Sequence, residues 1–237
     1  MKNVYRRVDL KCIQECKYLR VCEAFYEPVT TDEKSKVDTG VDSTRRWELV
    51  QRTTRQTPID VCRKTPVLTA VDSVEICAFL RRQGELFLIL VAQYRPPLDN
   101  VVLEFPAGLV DPGEDIRVAA LRELKEETGF TALPENIINI SDPVCLEPGM
   151  SDSCCKFVRL LVDGDSDVNL NPCQQLDVGE DIQVVLIPLG LRDKVDINTP
   201  LQSVKDFINR EKVGMHDIIV DSRLYMFLEG LSLSLPI

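Results

Sequence analysis

Histidine is nearly missing from this chain of 237 residues, and His216 is the only one. That scarcity removes whole chemistries. A Ser-His-Asp or Cys-His mechanism would have to run through His216, which lies in a polar turn near the C-terminus where a surface or capping role suits it better. Mixed Cys/His zinc sites are almost excluded for the same reason. Basic charge is short as well: 28 Lys and Arg face 38 Asp and Glu, a net charge of −10. Nucleic acid is therefore not an expected partner, because binding it needs a basic footprint. No apolar segment approaches the ~20 residues that span a bilayer. Met1 to Arg7 lead into a polar stretch, unlike a signal peptide. The expectation is a cytoplasmic or nuclear protein without a membrane partner.

Cysteine is not scarce. There are nine, an odd number at irregular intervals, and Cys12, Cys16 and Cys22 fit no common zinc finger. Adjacent Cys154 and Cys155 would point to opposite faces of a strand. Buried, reduced thiols are expected. With 44% hydrophobic and 28% charged residues, the chain suits one ordinary domain with an added module.

Chemistry must then rest on carboxylates and metal, and one stretch concentrates both. In GLVDPGEDIRVAALRELKEETGF, residues 108–130, Glu123, Glu126 and Glu127 stand at i, i+3 and i+4. On a helix they share an arc of roughly 100°. Leu121, Leu124 and Thr128 take the opposite side, so one face can pack while the other presents charge. Like charges at this spacing repel by a few tenths of a kcal/mol per pair, and a cation relieves them. All-oxygen ligands suit Mg²⁺ or Mn²⁺. Ahead of the helix, Gly108 and Gly113 flank the turn-forming Asp111-Pro112, and Glu114 and Asp115 mark the helix start.

These residues resemble the Nudix box at Gly108, Glu114, Arg122, Glu123, Leu124, Glu126, Glu127, Gly129 and Phe130. Phe130 is aromatic where the family usually has an aliphatic residue. Nine such matches by chance have a probability on the order of one in ten million. The resemblance implies a hydrolase of nucleoside diphosphates linked to another moiety. It places metal ligands at Glu123, Glu127 and the Ala107 carbonyl, with Glu126 beside them. Arg122 is implied as the internal partner that holds these carboxylates, a role compatible with an i,i+4 pair to Glu126.

The rest of the chain reads as two parts. Residues 1–56 form a small antiparallel β module, with strands at 17–26 and 45–52 joined by a long polar loop at 27–43. Such a sheet buries little alone and should pack on another domain or subunit. Residues 57–237 form the core, with strands at 73–81, 85–94, 101–105, 144–146, 156–162 and 182–187. Arg82-Gln83-Gly84 supplies a tight turn, and Pro96-Pro97 stops the second core strand. Thr199-Pro200-Leu201-Gln202 is a capping box opening a helix with Leu201, Val204, Phe207 and Ile208 on its buried stripe. A last helix near 221–231 carries Leu224, Phe227, Leu228 and Leu231. Strands interleaved with helices make an α/β (α+β) sandwich, and the resemblance specifies a Nudix α/β/α sandwich with a mixed sheet.

Outside the box, Arg46-Trp47-Glu48-Leu49-Val50-Gln51-Arg52-Thr53-Thr54-Arg55, Gln93-Tyr94-Arg95-Pro96-Pro97, Glu104-Phe105-Pro106-Ala107-Gly108 and Leu146-Glu147-Pro148-Gly149-Met150-Ser151 are similar to the animal ADP-sugar (ADP-ribose) pyrophosphatases. The likeness runs over roughly residues 16–230, with extra residues in 27–43 and near 131–136. It implies that Trp47 stacks on adenine, Glu48 reads the base edge, and Arg52 and Arg95 hold phosphates and ribose. Leu109 and Glu147 match further substrate contacts, Glu147 standing where those enzymes have aspartate. Tyr18 stands where they have a second tryptophan that reaches across a homodimer. Glu180 matches the loop glutamate that joins the metal shell and orients or deprotonates the attacking water. Read from the residues alone, Trp47 also suits an interface plug, Arg52 and Arg95 suit surface charges at strand ends, and Glu180 suits a solvated acidic loop.

The reaction implied is Mg²⁺-dependent splitting of ADP-ribose to AMP and ribose 5-phosphate. Two alternatives are cleavage of oxidised nucleoside diphosphates and a non-catalytic nucleotide sensor. The sensor should have lost box carboxylates, all of which are present.

Overall fold

In the computed structural model, residues 4–29, 44–54, 71–191, 199–211 and 217–232 are described. They divide into two units. The first holds the described residues up to Asp72 together with Pro143–Cys155. Its antiparallel sheet has the order β1 (Val4–Glu15), β2 (Leu19–Val29), β3 (Arg45–Arg52). Two register shifts in β1, between Arg7 and Asp9 and between Cys12 and Gln14, break its period-two alternation. That interruption hides the strand in the sequence. The expected strand at 17–26 is β2, displaced by two to three residues. Few side chains here are buried, chiefly Cys22, Ala24 and Gln51, as a small sheet with little apolar surface requires. Most of the expected 27–43 loop and the boundary at 56/57 lie outside the described residues.

The loop 146–152 is fastened to β3 within this unit. Trp47 Nε1 donates to Gly149 O at 3.0 Å, Val50 N–H to Met150 O at 2.9 Å, and Gln51 Nε2 to Asp152 Oδ2 at 2.7 Å.

In the second unit, β4 (Ser73–Arg82) and β5 (Glu85–Arg95) form a hairpin. Gln83 and Gly84 both take positive φ, 51° and 81°, as a two-residue turn of the right twist needs. Then come β6 (Asn100–Glu104), β7 (Ala107–Leu109), α1 (Ile116–Thr128), β8 (Ile137–Ile140), β9 (Val144–Cys145, in the first unit), β10 (Cys154–Asp163), β11 (Ile182–Leu191), α2 (Thr199–Arg210), β12 (Ile218–Val220) and α3 (Ser222–Ser232). The sheet runs β12-β6-β5-β4-β10-β8, with β11 pairing with β5, β7 with β4 and β9 with β10. The β12–β6 pair is parallel and its neighbours antiparallel, so the sheet is mixed.

Both faces are covered. Alternate residues of β4, Val74, Ile76, Ala78 and Leu80, pack with Ala119, Ala120 and Leu124 of α1. Leu88, Leu90 and Leu103 face the other way, toward Val204 and Phe207 of α2 and Leu224 and Leu228 of α3. Each large aliphatic so buried contributes roughly 2 kcal/mol. The sandwich is the expected one. Of the apolar residues that the last helix carries, Leu224 and Leu228 are buried and Leu231 is exposed. The thiols also divide. Cys22, Cys77, Cys154 and Cys155 are buried, whereas Cys12, Cys16, Cys145 and Cys173 are exposed. None of the eight described cysteines is in a disulfide. Among the described residues no helix is long and apolar enough to cross a membrane.

Candidate active site

Helix α1 is fixed at both ends by its own sequence. Asp115 caps the start by accepting from Arg117 N–H at 2.8 Å. Gly129, at φ 75°, ends it and donates its N–H to Lys125 O. A Cβ on Gly129 would also stand 2.4 Å from Cys173 N, so glycine is needed twice over. Phe130, the aromatic departure, lies in the core under α1 at 2% exposure, where a ring fits.

Arg122 is the hub of the acidic face. Its Nε and Nη2 take both oxygens of Glu114, each at 2.9 Å. Nη1 reaches Glu123 Oε1 at 2.7 Å and Glu126 Oε2 at 3.0 Å, and Nη2 also donates to the Leu109 carbonyl at 3.0 Å. The guanidinium thus ties the loop before α1, the helix and β7 together, and its pKa is raised, first by the Glu114 bonds. Glu114 is held below its ordinary range by the same bonds.

Glu127 was expected on an exposed face, and the structure corrects that. It is 7% exposed, and its Oε2 accepts the Ala107 N–H at 2.9 Å. The helix leans this edge against β7, so a residue at i+4 from Glu123 points into the seam. Burial pushes Glu127 up to about 8, with Glu123, Glu180 and Glu104 adding to the rise. Burial also raises Glu123, against Arg122. Gly108 makes room for it: a Cβ there would sit 1.9 Å from Glu123 Cδ.

Glu180 belongs to this neighbourhood, since its charge acts on both Glu123 and Glu127. It sits in a turn closed by Glu180 N–H to Asp177 O at 3.0 Å, with Asp177 N–H returning to Glu180 Oε2 at 3.1 Å. Gln174, which the sequence did not single out, anchors that loop. Its Nε2 bridges Glu127 O at 2.6 Å and Ile182 O at 2.9 Å. Arg95 ends β5, and its Nε donates to Glu104 Oε1 at 2.7 Å.

The donor set fits a hard divalent cation. Among the described residues no cation pairs with buried Glu127, and the charges nearest it are acids. Also among the described residues, no three ligating side chains are yet gathered closely enough to hold an ion. Glu123 and Glu126 are turned into Arg122, and Glu127 onto Ala107.

The other expected site residues lie in the first unit. Trp47 is 53% exposed, with its indole N–H on Gly149 O, so it does not act as a buried plug within this unit. Glu48 is exposed and Arg52 half-buried on the same strand. Tyr18 is 64% exposed, with Lys17 Nζ 4.7 Å from its ring centroid. Its carbonyl accepts Thr53 N–H at 3.0 Å. Glu147 is exposed, and its carbonyl accepts the Met150 and Ser151 N–H groups at 2.9 and 2.8 Å.

Comparison with known proteins shows the family. A NUDIX domain profile matches residues 70–183. The mouse ADP-sugar pyrophosphatase is 33% identical over 202 residues, 85% of this chain and 79% of that protein. The ADP-ribose pyrophosphatase of Saccharomyces cerevisiae is 33% identical over 182 residues, 76% of this chain and 68% of that protein. A Caenorhabditis elegans nudix hydrolase is 42% identical over 141 residues, which is 60% of this chain but only 58% of the worm protein. The chain belongs to the Nudix hydrolase family.

Proposed function

We propose that this enzyme hydrolyses the pyrophosphate bond of ADP-ribose and related ADP-sugars to AMP and a sugar phosphate. The observation that carries the reading is the grouping of Glu123, Glu127 and Glu180 in one electrostatic neighbourhood beside Ala107, with Arg122 bracing it. The ADP-sugar and ADP-ribose pyrophosphatases among its relatives support the substrate class.

Glu123, Glu127, Glu180 and the Ala107 carbonyl would hold Mg²⁺ or Mn²⁺, with Glu126 alongside. The ion, when bound, neutralises pyrophosphate charge and lowers the pKa of the attacking water. Glu180 orients that water and accepts its proton on a carboxylate oxygen. Arg122 keeps Glu123 and Glu126 in place, and Leu109 lines the substrate path. Arg95 and Arg52 grip phosphate and ribose oxygens, Trp47 stacks on adenine, Glu48 reads the base edge, and Glu147 contacts the substrate.

The register of the first sheet supports a homodimer. Trp47 pairs with Ala24 and Arg52 with Leu19, so Tyr18 lies about six residues, roughly 20 Å, along the ladder from Trp47. Two walls of one base site cannot come from one copy of this sheet. Tyr18 of one protomer would face Trp47 of its partner. The odd, irregular cysteine pattern favours a reducing compartment, cytoplasmic or nuclear.

Steady-state kinetics on ADP-ribose and on 8-oxo-guanosine diphosphate tests the substrate class. A kcat/KM at least tenfold higher for ADP-ribose is expected. The reverse order would replace this reading with nucleotide-pool sanitation.

A further inference from the structure

Two acids stand inside largely buried strands of the second unit. Glu75 in β4 is 4% exposed and Glu104 in β6 is 6% exposed. Buried carboxylates are costly unless paired, and each is met by an arginine. The two arginines are committed differently.

Arg223, at the start of α3, is fully occupied. Its Nε and Nη2 take the two oxygens of Asp221 at 2.9 and 2.8 Å, and its Nη1 donates to Glu75. This is a clasp between α3 and β4. Arg95 uses only its inner edge, where Nε donates to Glu104 Oε1 at 2.7 Å. Among the described residues neither of its Nη groups has an acceptor, and its side chain is 42% exposed. The outer edge of a guanidinium is a fork that matches two phosphate oxygens. Here that fork is open while the opposite edge is pinned.

The pin cannot readily move. Glu104 lies on an interior strand, opposite Val91 of β5, with β12 on the other side of β6. Burial raises the Glu104 pKa and the Arg95 bond opposes that rise, while Asp221 and Arg223 act on it with opposite signs. We infer that Glu104 is a positioning residue, which fixes the Arg95 guanidinium so that its open Nη edge meets a substrate phosphate. This rests on the reading of Arg95 as a phosphate contact.

Simple electrostatics gives the contrary expectation, which makes the inference testable. Removing a negative charge beside a phosphate site should strengthen phosphate binding, whereas losing the pin should weaken it. The test is a double-mutant cycle on ADP-ribose hydrolysis with Glu104→Gln, Arg95→Ala and the double variant. Glu104→Gln should raise KM about tenfold with kcat within about twofold. On the Arg95→Ala background it should change KM by less than about twofold. Glu104→Asp, which keeps the charge but withdraws the carboxylate by one methylene, should also raise KM, and it carries the cycle if the glutamine variant does not fold.

An unchanged or lower KM in Glu104→Gln would overturn the inference. So would an equal rise in both backgrounds accompanied by a lower melting temperature, which is the mark of a structural role. An Arg95→Ala variant with unaltered KM would remove the phosphate role of Arg95, and the inference with it, while leaving the hydrolase reading intact. If the wild type cleaves no ADP-sugar, the same cycle is read from calorimetric binding of inorganic pyrophosphate, with the same outcomes deciding it.

Discussion

The carboxylate of Glu123 lies over the Cα of Gly108, where a Cβ would come within 1.9 Å of its Cδ. The first glycine of the box therefore clears space for a candidate ligand from within strand β7. Its other neighbour is Arg122, which holds the same carboxylate from the helix side at 2.7 Å.

Gly108→Ala should accordingly cost activity more than stability. The clashing atom is the far end of a flexible side chain, so the helix can stay while Glu123 swings away. We expect kcat/KM to fall at least tenfold with a melting temperature within a few degrees of wild type. Kinetics and thermal unfolding on the same sample check this, and full activity would show that Glu123 need not lie there.

Glu127→Gln keeps the acceptor for the Ala107 N–H but removes the carboxylate that a cation would bind. Turnover should drop by two orders of magnitude or more, while apo stability holds or rises, since a buried acid raised to about 8 is lost. A loss below tenfold at saturating Mg²⁺ would show that Glu127 is not a principal ligand.

The same raised pKa sets a proton balance. Glu127 lies near 8 when no ion is bound, so at pH 7 most of the protein carries that proton, and a cation must displace it. Mg²⁺ binding should release protons at pH 7 and almost none at pH 9. Calorimetry in two buffers of different ionisation enthalpy reads this directly, and a buffer-independent heat at pH 7 would contradict it. The sign also means that Mg²⁺ affinity weakens as pH falls through 8.

As the proposed second wall of the base site, Tyr18 would offer a smaller ring than an indole. One stacked wall is worth roughly 1–3 kcal/mol in nucleic-acid sites, so Tyr18→Ala should raise KM for ADP-ribose about tenfold. Tyr18→Trp should leave KM equal or lower it. kcat should move little in either, because the base is remote from the bond that breaks. A change in stability without a change in KM would make Tyr18 an ordinary strand residue.

Much of this was legible in the sequence, for physical reasons. The box residues carry their geometry locally: Asp115 and Gly129 cap α1, and Arg122 bonds partners one, four and eight residues away. Strands β4, β5 and β11 announced themselves as apolar runs. Strand β1 did not, because it is mostly exposed and interrupted by register shifts. Ile218–Val220 is only three residues long, and its pairing with β6 is a nonlocal event. Burial of Glu127 was invisible because helical periodicity gives an angle, not which neighbour lies there. Glu75 and Glu104 did leave a trace, as acids within apolar strands, but their arginines come from 148 and 9 residues away.

The central claim is that this carboxylate group cleaves a pyrophosphate bond in an ADP-sugar. The most direct measurement incubates the protein with ADP-ribose and resolves the products by chromatography, once with Mg²⁺ and once with excess EDTA. AMP and ribose 5-phosphate in equal amounts with Mg²⁺, and neither with EDTA, is the predicted result. Intact ADP-ribose in the presence of Mg²⁺, or equal cleavage in EDTA, would contradict it.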